Sequence, residues 1–199
     1  MSSGALQQVL EEIGRIEPVD EREAASIARI VTEAPRLADP FSEEADPVHL
    51  TASAFVVSSR GTILHLHRKL GIWVQPGGHV DAGESPLVAA IRETEEETGL
   101  IVESATPEGL LFHVDVHPGP RGHTHFDLRY VLLSAGDDPT PPPDESQDVR
   151  WCAFSDVAGL AEPALVPALA KLGEAWAGPA TGWREKVEQM QERRREMTT

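Results

Sequence analysis

A single cysteine, Cys152, has no partner within the chain, so no internal disulfide framework holds the fold together. Long apolar runs are also missing: nothing approaches the roughly 18 residues that a membrane-spanning helix needs. The opening stretch MSSGALQQVLEEIGRI lacks a basic start followed by an apolar segment, so no secretory signal is expected there. Basic residues are scarce as well, with 17 Lys and Arg against 33 Asp and Glu and a formal net charge of -16. A surface that acidic repels polyphosphate backbones and makes nucleic acid a poor partner. A small phosphorylated substrate stays open, because bound divalent cations can invert the local field. These absences point to a soluble, cytoplasmic protein with no membrane partner. Present in their place are 40% hydrophobic residues in 199, enough for the core of one ordinary domain with appendages.

Apolar spacing organises the chain. Leu6, Val9, Leu10 and Ile13 recur at helical intervals. Pro18 interrupts them, and Asp20 followed by Glu23 forms a capping signal for a second helix through Ala24, Ile27, Ile30, Val31 and Ala34. A polar loop, Pro35 to Pro47, follows. Thr51 to Val57 and Thr62 to His67 read as strands joined at Arg60-Gly61. Further strands are expected at Leu110 to Val116, His125 to Leu133 and Val149 to Phe154. Helices are expected at Leu165 to Trp176 and Trp183 to Met197, the last so charged that a solvated helix and a frayed tail both remain open. Interleaved strands and helices predict an α+β fold, an α/β/α sandwich with a mixed sheet flanked by helices and extra N-terminal helices. The expected divisions are 1–48 (N-terminal helical extension), 49–176 (main domain) and 177–199 (C-terminal charged helix or tail).

Residues 77–100 read GGHVDAGESPLVAAIRETEEETGL. Ser85 suits an N-cap, Pro86 the first helical position, and Gly99 a left-handed C-terminal cap. Leu87, Ala90, Ile91, Thr94 and Thr98 form the mainly apolar stripe of that helix. At about 100° per residue, Glu93, Glu96 and Glu97 share an arc of roughly 100° on another face. Carboxylates so crowded repel each other, and a hard divalent cation is one use for them. A solvated acidic face is the other, and the carboxylates alone favour it.

Their context reverses that preference. Gly78, five residues, Glu84, seven residues, Arg92-Glu93, then Glu96-Glu97 and Gly99-Leu100 closely resembles the box of the Nudix hydrolases. Chance agreement at the seven fixed positions is on the order of 10⁻⁸ per window. Thr94 departs from the pattern, which has a bulky aliphatic residue there, but on the packing side of the helix. The flanking strands extend the resemblance to about residues 49–176.

The resemblance implies a Mg²⁺- or Mn²⁺-dependent enzyme that cleaves a phosphoanhydride in a nucleoside diphosphate linked to another group. The substrate class covers nucleoside triphosphates, dinucleotides and nucleotide sugars. By position it implies metal-binding roles for Glu93, Glu96 and Glu97, with the Gly77 carbonyl as an extra ligand. Glu93 or Glu96 would be the catalytic base, and Arg92 with Glu84 would support the loop. A further ligand is expected before the last strand, at Glu145 or in reserve Asp144. Arg68 and Lys69, just before the metal loop, are candidate phosphate contacts, although basic residues at a strand end are commonly solvated. Trp73 and Cys152 read as packing residues.

A second polar pattern lies outside the box. His113 and Asp115, continuing to His117, alternate with Leu110, Phe112, Val114 and Val116. Beyond 118–122, His123, His125, Asp127 and Arg129 alternate with Phe126, Leu128, Tyr130 and Leu132. A simple five-residue hairpin loop would pair His117 with His123, Asp115 with His125 and His113 with Asp127. A half-exposed sheet, a substrate-contacting face at His113, Asp115, His125, Asp127 and Arg129, and a transition-metal site are the three explanations.

Two rival functions share the scaffold. An isomerase resembling the isopentenyl diphosphate isomerases would need a cysteine upstream of the box, and none precedes it. A non-catalytic nucleotide-binding module would be expected to have lost box carboxylates, and all are present. Motifs for coenzyme A or reduced dinucleotides are absent. The proline of many ADP-ribose hydrolases is not matched, since Pro107 falls too early and Pro118 late. The N-terminal helices could cover the cleft, form a homodimer or pack on the domain.

Overall fold

Asp20 does what a helix N-cap does: its backbone is extended and its Oδ1 accepts from the Glu23 amide at 2.8 Å. Glu23 reaches back to accept from the Val19 amide at 2.7 Å, so two otherwise unpaired donors are satisfied together. The computed structural model describes residues 2–198, and in it α1 spans Ser2–Ile13 and α2 spans Glu21–Glu33. Val9, Ile13 and Ile30 turn their apolar faces inward and are buried. Two compact units are present. One comprises the chain up to Ser53, Gly77–Ala90 and Leu111–Tyr130, and the other Ala54–Pro76, Ile91–Leu110 and Val131 onward.

In the first unit, the start of β1 (Val48–Ser58) pairs antiparallel with β4 (Gly77–His79), Thr51 opposite His79 and Ser53 opposite Gly77. A side chain at position 77 would place its Cβ 2.3 Å from that of Ser53, so only glycine permits this approach. β6 (Leu111–Pro118) pairs with β7 (Thr124–Ser134). The hairpin register differs from the expected one by two residues: His117 faces His125, Asp115 faces Asp127 and His113 faces Arg129. The cause is a tighter turn. Gly119 donates to the His123 carbonyl at 2.8 Å, so pairing continues into the expected loop and only Pro120–Gly122 remain. A two-residue shift preserves the face of every side chain, which is why the polar residues still lie together.

A bulge between Leu111 and His113 makes a second correction. Phe112 is the extra residue, so Leu111 is buried where Leu110 was expected. The polar face is closed off rather than half-exposed. α2 packs against β6, and its side chains meet the strand's free edge: Glu23 Oε1 accepts from the Val114 amide and Ser26 Oγ from the Val116 amide. Of the three uses left open for the N-terminal helices, α2 serves packing.

In the second unit, the end of β1 and β2 (Gly61–Leu66) form the expected hairpin, Val57 opposite Thr62 and Ser58 opposite Gly61. β2 also pairs antiparallel with β3 (Trp73–Val74) and with β8 (Val149–Cys152). β5 (Val102–Ser104) lies along the end of β7. A parallel bridge from Trp73 to Ala161 makes the pairing mixed. The short strands β3, β4 and β5 are too brief for a sequence period to reveal. α3 (Pro86–Thr98) begins in the first unit and ends in the second. α4 (Val166–Ala177) buries Ala168, Leu169 and Leu172, and α5 (Trp183–Thr198) buries Trp183, Val187 and Met190. α5 thus packs through its first half, while residues 192, 193 and 195–197 are exposed. Among the described residues, no helix is long and apolar enough to cross a membrane. The chain is α+β.

Candidate active site on helix α3

α3 has the bounds its caps dictate. The Ser85 carbonyl accepts from the Ala89 amide at 2.9 Å, and Pro86 opens the helix where no donor is needed. Gly99, at φ +68°, closes it by donating to the Glu95 carbonyl. The chain passes close there: a Cβ on Gly99 would lie 2.2 Å from the Thr140 carbonyl oxygen. Thr94 and Thr98 are fully buried, so the departure from the box at Thr94 falls on the packed face.

The opposite face carries the acids. The side chains of Glu93 and Glu97 are 18% and 17% exposed, and that of Glu96 is 56% exposed. Arg92 Nη1 donates to Glu93 Oε1 at 2.8 Å and to Glu96 Oε2 at 3.1 Å. The sequence places Arg92 well round the helix from Glu93, yet its long side chain spans that angle and supplies counter-charge to both carboxylates. His65, next to last in β2, brings its Nδ1 within 3.8 Å of Glu97 Oε1. Burial, then the neighbouring His67, lowers the His65 pKa to about 4, so the imidazole is neutral near pH 7. Among the described residues, no hydrogen bond reaches the buried His65 Nδ1.

Beside β2 lies the loop that carries Glu145. Ser146 donates to the Leu66 carbonyl at 2.8 Å, Leu66 donates to the Asp148 carbonyl, and Arg68 donates to the Asp144 carbonyl. Arg68 therefore holds this loop, while the Lys69 side chain is exposed. Trp73 carries the Arg150 guanidinium 4.2 Å from its ring centroid, a packing role. In the first unit, Glu84 closes its own turn: Asp81 donates its amide to Glu84 Oε2, and Glu84 returns its amide to the Asp81 carbonyl.

Four of the five hairpin residues expected to meet substrate form a closed ion network. His113, Asp115, Asp127 and Arg129 are 4%, 2%, 4% and 3% exposed. Arg129 donates through Nε to Asp127 at 2.8 Å, through Nη2 to Asp115 at 3.3 Å and through Nη1 to His113 Nδ1. Asp127 also accepts from the hydroxyls of Thr51 and Ser53. Burial pushes Asp115 upward, but hydrogen bonds from His117 and Arg22 and the charge of Arg129 outweigh it, so its pKa is well below the usual carboxylate range. For Asp127 burial is likewise outweighed, chiefly by the Arg129 charge, and its pKa is lowered.

The family model of the NUDIX domain matches residues 47–174, which include α3 and the strands β1 to β8. The chain belongs to the NUDIX domain family. A Mycobacterium tuberculosis NUDIX relative provisionally named 8-oxo-dGTP diphosphatase 3 is 35% identical over 104 residues, 49% of this chain and 47% of that protein. The match thus spans about half the length of that relative. The asymmetrical bis(5'-nucleosyl)-tetraphosphatase of Caenorhabditis elegans is 33% identical over 101 residues, 49% of this chain and 70% of the relative. An isopentenyl-diphosphate Delta-isomerase from Streptomyces griseus is 29% identical over 159 residues, 68% of this chain and 77% of the isomerase. Among solved structures, a NUDIX-family hydrolase from Clostridium perfringens superposes with a TM-score of 0.53 at 27% identity, covering 62% of this chain and 97% of that one.

One group of residues within the NUDIX match escaped the sequence argument. His49 on β1, His79 on β4 and His125 on β7 place one ligand atom each within 4.8 Å of one another. His123 and His117 flank them, with ring centroids 5.2 Å from His49 and 5.5 Å from His125. Burial lowers the pKa of His125 to about 4, assisted by His117, and lowers that of His49. His123-Thr-His125 was the only local signal, because the other members come from strands distant in sequence. Cys152 is buried on β8, where burial raises its thiol pKa.

Proposed function

We propose that this chain is a metal-dependent hydrolase of a phosphoanhydride bond in a nucleoside diphosphate derivative, acting through the carboxylates of α3. The observation that carries the proposal is the set Glu93, Glu96 and Glu97 on one turn, held by Arg92 and abutting a neutral His65. Three oxygen donors fit a hard divalent cation such as Mg²⁺ or Mn²⁺. Glu93, Glu96 and Glu97 would hold it, with Glu145 as a further oxygen ligand. Such a cation would neutralise the pyrophosphate and make a water molecule more acidic.

The protein's own part is positioning and proton transfer. Arg92 fixes Glu93 and Glu96 relative to each other, and either carboxylate can accept the proton of the attacking water. His65 gives Glu97 a neutral neighbour that does not compete for a cation. The activities for which the mycobacterial and nematode relatives are named support nucleoside triphosphates and dinucleoside polyphosphates as the first substrates to try. A mass-spectrometric hydrolysis screen over nucleotides, dinucleotides and nucleotide sugars, with Mg²⁺ and Mn²⁺, tests the proposal. No cleavage across that panel would overturn it.

The isomerase match is the longest of those above and favours a second reading. An isomerase like that relative would be expected to use a cysteine upstream of the box. The chain's one cysteine, Cys152, lies downstream on β8 and is buried. Including isopentenyl diphosphate in the screen separates the two.

A further inference from the structure

The geometry points to a second metal site, built from His49, His79 and His125, that takes a borderline transition-metal ion of the Zn²⁺ class. It is independent of the hydrolase proposal and uses different donor chemistry. The ligand atoms of the three imidazoles come within 4.8 Å of one another. A tetrahedral zinc site with Zn–N bonds of about 2.0–2.1 Å needs a somewhat closer approach, within reach of small side-chain rotations. Nitrogen donors select Zn²⁺, Ni²⁺ or Cu²⁺ over Mg²⁺, which the carboxylates of α3 suit better.

His49 supplies the second line of evidence. It is fully buried, and its Nδ1 lies 3.2 Å from the Asp46 carbonyl. That carbonyl can only accept, so Nδ1 carries the proton and Nε2 presents its lone pair. The buried His49 Nε2 has no hydrogen-bond partner among the described residues. A carbonyl on one imidazole nitrogen and a free lone pair on the other is the arrangement that orients a metal-ligating histidine.

The surroundings hold the other ligands in place. Gly119 packs directly on the His125 ring: a Cβ there would lie 2.3 Å from Nε2, so the turn fixes this imidazole only because the residue is glycine. His79 is fixed on β4, opposite Thr51 in the ladder with β1. Three histidines leave a fourth position for water or for Glu43. The Glu43 Oε2 lies 3.5 Å from His79 Nε2 and is held by Arg121 at 2.7 Å. Bound metal would tie β1, β4 and β7 together at one point.

Zn²⁺ titration of the full chain, followed by competition with a chromophoric chelator, tests the site. One Zn²⁺ should bind per chain with a dissociation constant below about 1 µM, and Mg²⁺ should not displace it. Binding should survive Glu96→Gln with Glu97→Gln and weaken at least about 100-fold in His49→Ala. If His49→Ala does not fold, as judged by circular dichroism in EDTA, His125→Gln offers the same test at a half-buried position. Co²⁺ in place of Zn²⁺ should give the visible absorption of a tetrahedral nitrogen-rich site, and that spectrum should vanish in His125→Gln. Weak binding to the wild type, unchanged binding in the histidine variants, or loss in the glutamate variant would each overturn the site.

Discussion

Arg22 and Asp115, 93 residues apart in sequence, form a two-bond ion pair, Nε to Oδ1 at 2.7 Å and Nη2 to Oδ2 at 2.9 Å. The pair joins an N-terminal helix to the edge strand of a hairpin. Its acid is buried and its base half-exposed, with side-chain exposures of 3% and 49%.

Arg22→Ala should therefore destabilise the protein modestly, by about 1–2 kcal/mol, because Asp115 keeps Arg129 as a partner. Arg129→Met should cost more, about 3–5 kcal/mol, since it removes the buried guanidinium shared by Asp127 and Asp115, while Arg22 reaches Asp115 alone of the two. Urea unfolding of the two variants beside the wild type measures both. Equal losses would contradict the network as described.

Acid should weaken this region in a way that Asp115 accounts for in part. Its folded pKa is lowered, so its contribution is complete above the unfolded value of about 3.9 and fades as pH falls below it. From about pH 5 to about pH 3 the wild type should lose more stability than Asp115→Asn, which has no such proton to gain. Urea midpoints at both pH values give the comparison, and parallel losses would remove Asp115 from the account.

Replacing Glu97 by Gln should leave the fold intact and reduce cleavage at saturating Mg²⁺ by at least about 100-fold. The side chain keeps its shape and loses one charge. Product release by chromatography, with circular dichroism as the folding control, reads the effect. Near-normal turnover would remove Glu97 from the proposed site.

Gly99→Ala should destabilise by about 1–3 kcal/mol or more, from a left-handed backbone and a Cβ driven toward the Thr140 carbonyl. Thermal unfolding checks it. A neutral result would mean that the turn after α3 relaxes freely.

What the sequence made legible was local chemistry. Asp20 with Glu23, Ser85 with Pro86, and Gly99 each mark a helix end through bonds to residues a few positions away, and the structure has them there. The carboxylate face of α3 followed from helical spacing alone. The hairpin faces were legible too, although the register was off by two because loop length had to be assumed. Burial of His113, Asp115 and Arg129 was not legible, since their cover comes from Arg22 and Glu23 far away in the chain. Nor was the histidine group: three strands must pair before His49, His79 and His125 become neighbours.

The solitary cysteine has a practical consequence. Cys152 sits on β8 with 7% exposure and a raised thiol pKa, so a native molecule presents almost no thiolate to an alkylating reagent. Labelling requires β8 to part from its surroundings first. With no second thiol in the sequence to complicate the trace, the rate of modification at Cys152 becomes an intrinsic clock for the opening of that strand.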